Sequence, residues 1–179
     1  MTDTTTHAPG GGLRRLLLSL TLVGGVIAAA LALAPGAVSL DGVGARPHAP
    51  DWAVLQARPP QVLVHLAAAA GAFLLGAAQL LGPKGTLPHR VIGWTWAALM
   101  LVAAVSSIFI RDLNHGAFSL IHILTGLTLV SLPMGLYAAR RGNIRAHRGY
   151  MTGLFFGGLV VAGSLAFLPG RTLWAVFFG

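Results

Sequence analysis

Apolar residues gather into five blocks along the chain, at roughly residues 16–34, 62–81, 91–110, 118–138 and 149–168, and no Asp, Glu, Lys or Arg falls inside any of them. Each block is close to the ~20 residues that a helix needs to cross the hydrocarbon core of a bilayer. The pattern predicts an all-α integral membrane protein with five transmembrane helices, the last four forming a bundle. The expected organisation is a disordered cytoplasmic tail over 1–12 and an N-terminal transmembrane anchor over 13–34. An outer loop over 35–61 and a four-helix transmembrane bundle over 62–179 follow. The first block has a second reading. Arg14 and Arg15, an apolar run and the string "ALALAPGA" resemble a signal peptide with a small-residue cleavage site. Either way the four-helix part keeps its topology.

Composition supports this picture. Hydrophobic residues make up 55% of the 179 positions and charged residues 9%, with a mean hydropathy of +0.77, too little charge to solvate a water-soluble domain of this size. The formal net charge of +8 would suggest nucleic acid in a soluble protein. Here the basic residues sit in short loops, where they set membrane orientation, and no nucleic-acid partner is expected. Arg14, Arg15, Lys84, Arg90, Arg140, Arg141, Arg145 and Arg148 fall on one side if the N-terminus is cytoplasmic. Asp41, Asp51 and Asp112 then fall on the other. The expected orientation is N-terminus inside and C-terminus outside, with the lipid bilayer as the surrounding partner. The absence of cysteine excludes disulfides, thiolate chemistry and iron–sulfur clusters.

The last four blocks contain a weak repeat. Aligning His89 with His147 without gaps pairs Arg90 with Arg148, Leu101 with Leu159, Ala104 with Ala162, Ser106 with Ser164 and Phe109 with Phe167. His65 precedes His89 by 24 residues and His122 precedes His147 by 25. Each half therefore reads as a helical hairpin with one histidine early in its first helix and one at the start of its second. By depth, His65 and His122 share the outer level, and His89 and His147 the inner level.

Two imidazoles on facing helices can hold a six-coordinate b-type haem without covalent attachment, a state suited to electron transfer. Small residues leave room for a flat macrocycle: "LAAAAGA" follows His65, and Gly126 lies one turn after His122. Ser106 and Ser164 should lie near the outer pair. Gln79 and Tyr137 should lie near the inner pair, with Arg90 and Arg148 placed to neutralise propionates. Each feature also has a structural explanation. Small residues suit helix packing in lipid, and an interfacial His-Arg pair can contact headgroup phosphate. His65 and His122, several residues inside apolar blocks, are the stronger ligand candidates, because polar groups there are costly and often functional. Trp94 and Trp96 suit an interfacial aromatic belt. No HExxH or carboxylate cluster points to zinc or a catalytic iron.

The segments "FSLIH", "AARRGNIRAHR" and "FLPGR" resemble the bacterial membrane family known as domain of unknown function 2306, from the second helix to the C-terminus. That resemblance implies architecture and a bacterial inner-membrane location more than an activity. More loosely, His65, His89, His122 and His147 resemble the ligand set of the transmembrane di-haem cytochrome b family of ascorbate-dependent ferric reductases. That resemblance implies two b-type haems, with His65 paired to His122 and His89 to His147. No ascorbate site is recognisable, so donor and acceptor do not follow from it. The leading expectation is a transmembrane electron-transfer protein, an oxidoreductase only in that sense. The alternatives are a cofactor-free accessory or assembly subunit of a larger membrane complex and, third, a quinone- or lipid-binding membrane protein.

Overall fold

The computed structural model describes residues 46–110 and 120–179. The expected tail, the first apolar block and the outer turn carrying Asn114 and His115 lie outside the described residues. Everything described is helix, turn or irregular chain, with no strand among the described residues. The helices are α1 (Trp52–Gln56), α2 (Pro60–Leu81), α3 (Leu87–Ile108), α4 (Leu120–Arg140) and α5 (Ile144–Gly153). A π-helical segment, π1 (Leu154–Val161), continues α5 into α6 (Ala162–Leu165), and α7 (Thr172–Phe177) ends the chain. Three of these helices are long and apolar enough to cross a membrane: α2, α3 and His122–Arg140 of α4. The fifth apolar block forms the α5–π1–α6 rod instead of one regular helix.

The helix boundaries follow from local chemistry. Pro60 opens α2 and Pro88 lies in the first turn of α3, where the missing N–H has no intrahelical partner to lose. The Thr86 hydroxyl caps α3 by accepting from the His89 N–H at 3.3 Å. The Asn143 side chain caps α5 by accepting from the Ala146 N–H at 3.0 Å. Both His-Arg pairs therefore sit in the first turn or so of a capped helix. Arginines there oppose the helix dipole, so helix stability does not explain them.

Packing makes a ring. Helix α2 packs on α3, α3 on α4, α4 on α5, and π1 closes the ring against α2. The central layer is built from Ala72 of α2, Trp96, Ala97 and Met100 of α3, Leu132 of α4, and Leu154, Phe155 and Leu159 of π1. Gly76 lets these large rings in. A Cβ at this position would collide with the Phe155 ring and lie 2.8 Å from the Trp96 indole nitrogen. Phe73 stacks on Phe155 at a centroid distance of 5.7 Å. At the other crossing, a Cβ on Gly135 would strike Met151 and lie 2.9 Å from Tyr150 Cβ. Large apolar side chains such as Leu74, Val130 and Leu127 stay more than half exposed, as expected of surfaces that lipid covers. Beyond the rod, His48 N–H donates to Phe177 O at 3.1 Å and Asp51 N–H to Val176 O at 2.9 Å. These bonds dock the start of the described chain, with α1, on α7.

Candidate functional site

The polar groups of the bundle fall at two levels, separated by the apolar layer around Trp96, Met100 and Phe155. At the first level, His65 on α2 reaches across to α3. Its Nδ1 lies 2.9 Å from the carbonyl oxygen of Ala103. A carbonyl only accepts, so Nδ1 carries the hydrogen, and in a neutral imidazole Nε2 then holds the lone pair. Ser106 Oγ donates to Val102 O at 2.7 Å and sits 3.4 Å from the same His65 nitrogen. Beside it, Ser107 donates to Ala104 O at 2.8 Å and meets the Thr125 hydroxyl on α4 at 2.6 Å. His122 lies three positions before Thr125, about one turn earlier on α4. Ser106, Ser107, Thr125 and Thr128 are all buried. Within lipid such hydroxyls must find partners inside the protein, and here much of that need is met by carbonyls of their own helices.

At the second level, His147 on α5 mirrors the His65 geometry. Its Nδ1 lies 2.9 Å from Gly135 O on α4, which again makes Nδ1 the donor and leaves the lone pair on Nε2. His89 is half-buried, and its Nδ1 is shielded from solvent without a hydrogen-bond partner. His147, Lys84 and Arg90 lie close enough to His89 to bear on its protonation, so the two inner histidines share one electrostatic neighbourhood. Gln79 does reach this level: its Nε2 donates to the His89 carbonyl at 2.7 Å.

Other expected members lie elsewhere. Ser164 is exposed and donates to Val160 O of its own rod at 2.7 Å. It is not brought to a histidine. Tyr137 is exposed, with Arg141 over its ring at 5.7 Å. Arg90 and Arg148 are exposed at the second level. The two tryptophans divide: Trp94 is exposed under Arg140 at 5.6 Å, whereas Trp96 is buried in the central layer and its indole N–H has no hydrogen-bond partner.

Three features escape a reading by residue type. The buried Ser107–Thr125 bridge joins two blocks whose facing is unknown from sequence. The π1 segment has no signal in the sequence beyond the pair Gly157–Gly158. The third is a groove of about 210 Å³ between α4 and the α5–π1 rod, lined by Leu124, Leu127, Ser131, Gly149, Gly153 and Gly157 among others. Its spacing of glycines by four is visible in the sequence.

The side chains at the two levels that could ligate a metal are imidazoles, the donor type that an axial haem ligand would need. Among the described residues no group of three or more His, Asp or Glu side chains gathers to hold a metal ion. Two-histidine ligation asks only for neutral imidazoles with Nε2 available, and His65 and His147 each have Nδ1 oriented by a backbone carbonyl, as ligating histidines do.

No curated protein and no solved structure matches the chain. The family model for DUF2306, described as a predicted membrane protein, matches residues 62–171, from the start of α2 to the turn before α7. That span is more than half of the chain and contains all four bundle histidines, so the chain belongs to this membrane family.

Proposed function

We propose that the chain is a transmembrane electron-transfer protein holding two b-type haems, one by His65 and His122 and one by His89 and His147. The observation that carries the reading is the pair of imidazole–carbonyl bonds, His65 to Ala103 and His147 to Gly135. Each orients a ring and puts the lone pair on Nε2, the tautomer that ligation requires. The order of packing supports it further. With α2–α3–α4–rod closing as a ring, the proposed partners lie on alternate members, α2 with α4 and α3 with the rod. Haem held by these histidines would supply a one-electron couple at each level. The protein's part is to orient the imidazoles and to separate the levels with the Trp96–Phe155 layer. Arg90 and Arg148 place positive charge at the inner level. The reading includes five membrane spans, the last four in two repeated hairpins, with the N-terminus in the cytoplasm of a bacterial cell and the C-terminus outside.

The test is an absorption spectrum of the purified full-length chain. A Soret band and a sharp α band on reduction, with two haems per chain, are expected. Protein that purifies without haem and takes up none from added haemin overturns the reading. A second function, a cofactor-free subunit of a larger membrane complex, is favoured by one observation: the α4–rod groove is open along its glycines. Co-purification with a large partner, and assembly unchanged in His65→Ala, distinguish it.

A further inference from the structure

The basic groups of the second level have no acidic counterpart. Lys84, Arg90, Arg140, Arg141, Arg145 and Arg148 all lie at this end of the bundle. Among the described residues the only acid is Asp51, which caps α1 at the other end by accepting from the Ala53 N–H at 2.9 Å. Lys84 is engaged by its own helix end, donating to Leu80 O at 2.9 Å and to Gly82 O at 2.6 Å. Arg141 lies over Tyr137, its near neighbour in the chain. Arg140 differs. It leaves the end of α4 and sets its guanidinium over the Trp94 ring of α3, 5.6 Å from the centroid. Arg90 lies one turn before Trp94 on α3, so the two side chains share a face. Arg90, Trp94 and Arg140 are all exposed. Packing of α4 on α3 thus brings two guanidiniums, distant in sequence, to one indole. A cation–π contact leaves the N–H donors of a guanidinium unspent.

We propose that Arg90, Trp94 and Arg140 form a binding site for one anionic phospholipid, with its phosphodiester held by the two guanidiniums and an acyl chain lying along α3. Charge selects the headgroup. A guanidinium offers paired donors that match phosphate oxygens, and basic clusters at a membrane face attract anionic lipid. The helix surface selects a lipid over a free phosphate. Beyond Trp94 the exposed positions of α3 continue as Ala98, Leu101, Val102 and Val105, which helical spacing gathers into one apolar stripe. From Trp94 to Val105 is about 16 Å at 1.5 Å per residue, close to the roughly 15 Å of one leaflet of hydrocarbon. The place of Arg90 agrees. In the first turn of α3 it opposes the helix dipole, whereas an anion seated there is favoured by it. A bound phosphodiester therefore accounts for an arginine that helix stability does not. The inference is independent of haem.

The test is native mass spectrometry of the full-length chain in detergent, titrated with phosphatidylglycerol or with phosphatidylcholine of the same acyl chains. A saturable phosphatidylglycerol adduct is expected, about tenfold or more tighter than the phosphatidylcholine one. Arg90→Gln with Arg140→Gln is expected to weaken it about 25-fold, roughly fivefold for each basic group at an anionic headgroup. Arg141→Gln with Arg145→Gln removes the same charge from the same level and is expected to weaken it by no more than about twofold, since charges beyond a Debye length are largely screened. Trp94→Leu keeps the apolar stripe but removes the ring under Arg140, and is expected to weaken the adduct about threefold. Because all these side chains are exposed, melting in lipid-free detergent should match the parent. Equal losses in the two double variants would mean a diffuse attraction to the basic face and overturn the proposal. So would equal affinity for the two lipids. Inorganic phosphate that binds the chain as tightly as phosphatidylglycerol would assign the arginines to a free anion and overturn it too.

Discussion

The Nδ1 of His65 lies 2.9 Å from the carbonyl oxygen of Ala103, on the opposite helix of the same hairpin. The bond ties α2 to α3 and leaves Nε2 as the only basic nitrogen of the ring. A structural role and a ligand role both follow from it, and they can be separated. In His65→Gln the side chain can still donate to a carbonyl but offers no imidazole. We expect the variant to fold with stability within about 1 kcal/mol of the parent, the usual net worth of such a bond. On the haem reading it also loses one of two components in a spectroscopic redox titration. Retention of both components would remove His65 from the ligand set.

The Ser107–Thr125 contact at 2.6 Å joins α3 to α4 near the same level. Thermal unfolding in detergent of Ser107→Ala, Thr125→Val and the double variant should show a coupling of about 0.6 kcal/mol, the average for hydrogen bonds between membrane helices. Additive single effects would mean that the hydroxyls find equal partners elsewhere.

Gly76→Ala and Gly163→Ala should behave oppositely. The first forces a methyl into Trp96 and Phe155 at the bundle centre, and over-packing of that kind costs about 1–3 kcal/mol. The second meets open space and should be neutral or gain up to about 1 kcal/mol from helix propensity. Melting temperatures of the two variants side by side check the central layer.

Asn143→Ala removes the side-chain cap of α5, at a cost of about 1 kcal/mol. Because His147 lies in the next position after the capped turn, the loss should also loosen its bond to Gly135. On the haem reading the inner component then broadens or shifts in potential, while Thr86→Ser, which keeps a capping hydroxyl on α3, leaves the spectrum unchanged.

Topology is open to a direct test, because cysteine is absent. Single cysteines at Gly142 and Gly85 should react with a membrane-impermeant maleimide only from the cytoplasmic side. A cysteine at Gly170 should react only from outside. The reverse pattern would overturn the orientation drawn from the basic loops.

The apolar blocks and the basic loops were enough to identify a membrane protein and to locate α2, α3 and most of α4. A bilayer imposes length and polarity so strongly that one-dimensional pattern carries the information. Histidine spacing suggested two levels, because rise per residue converts sequence separation to depth. Rotation about the helix axis is a different matter. Two apolar helices show no strong polar face, so depth alone placed both Ser106 and Ser164 near the outer histidines, and the facing of each was open. Packing decided it: Ser106 lies against His65, and Ser164 bonds to its own rod. The π1 segment, the separation of Trp94 from Trp96, and the division of glycines into filled and open positions likewise depend on which surfaces meet. Those are set by side-chain fit across the ring, a long-range property that no local stretch of sequence encodes.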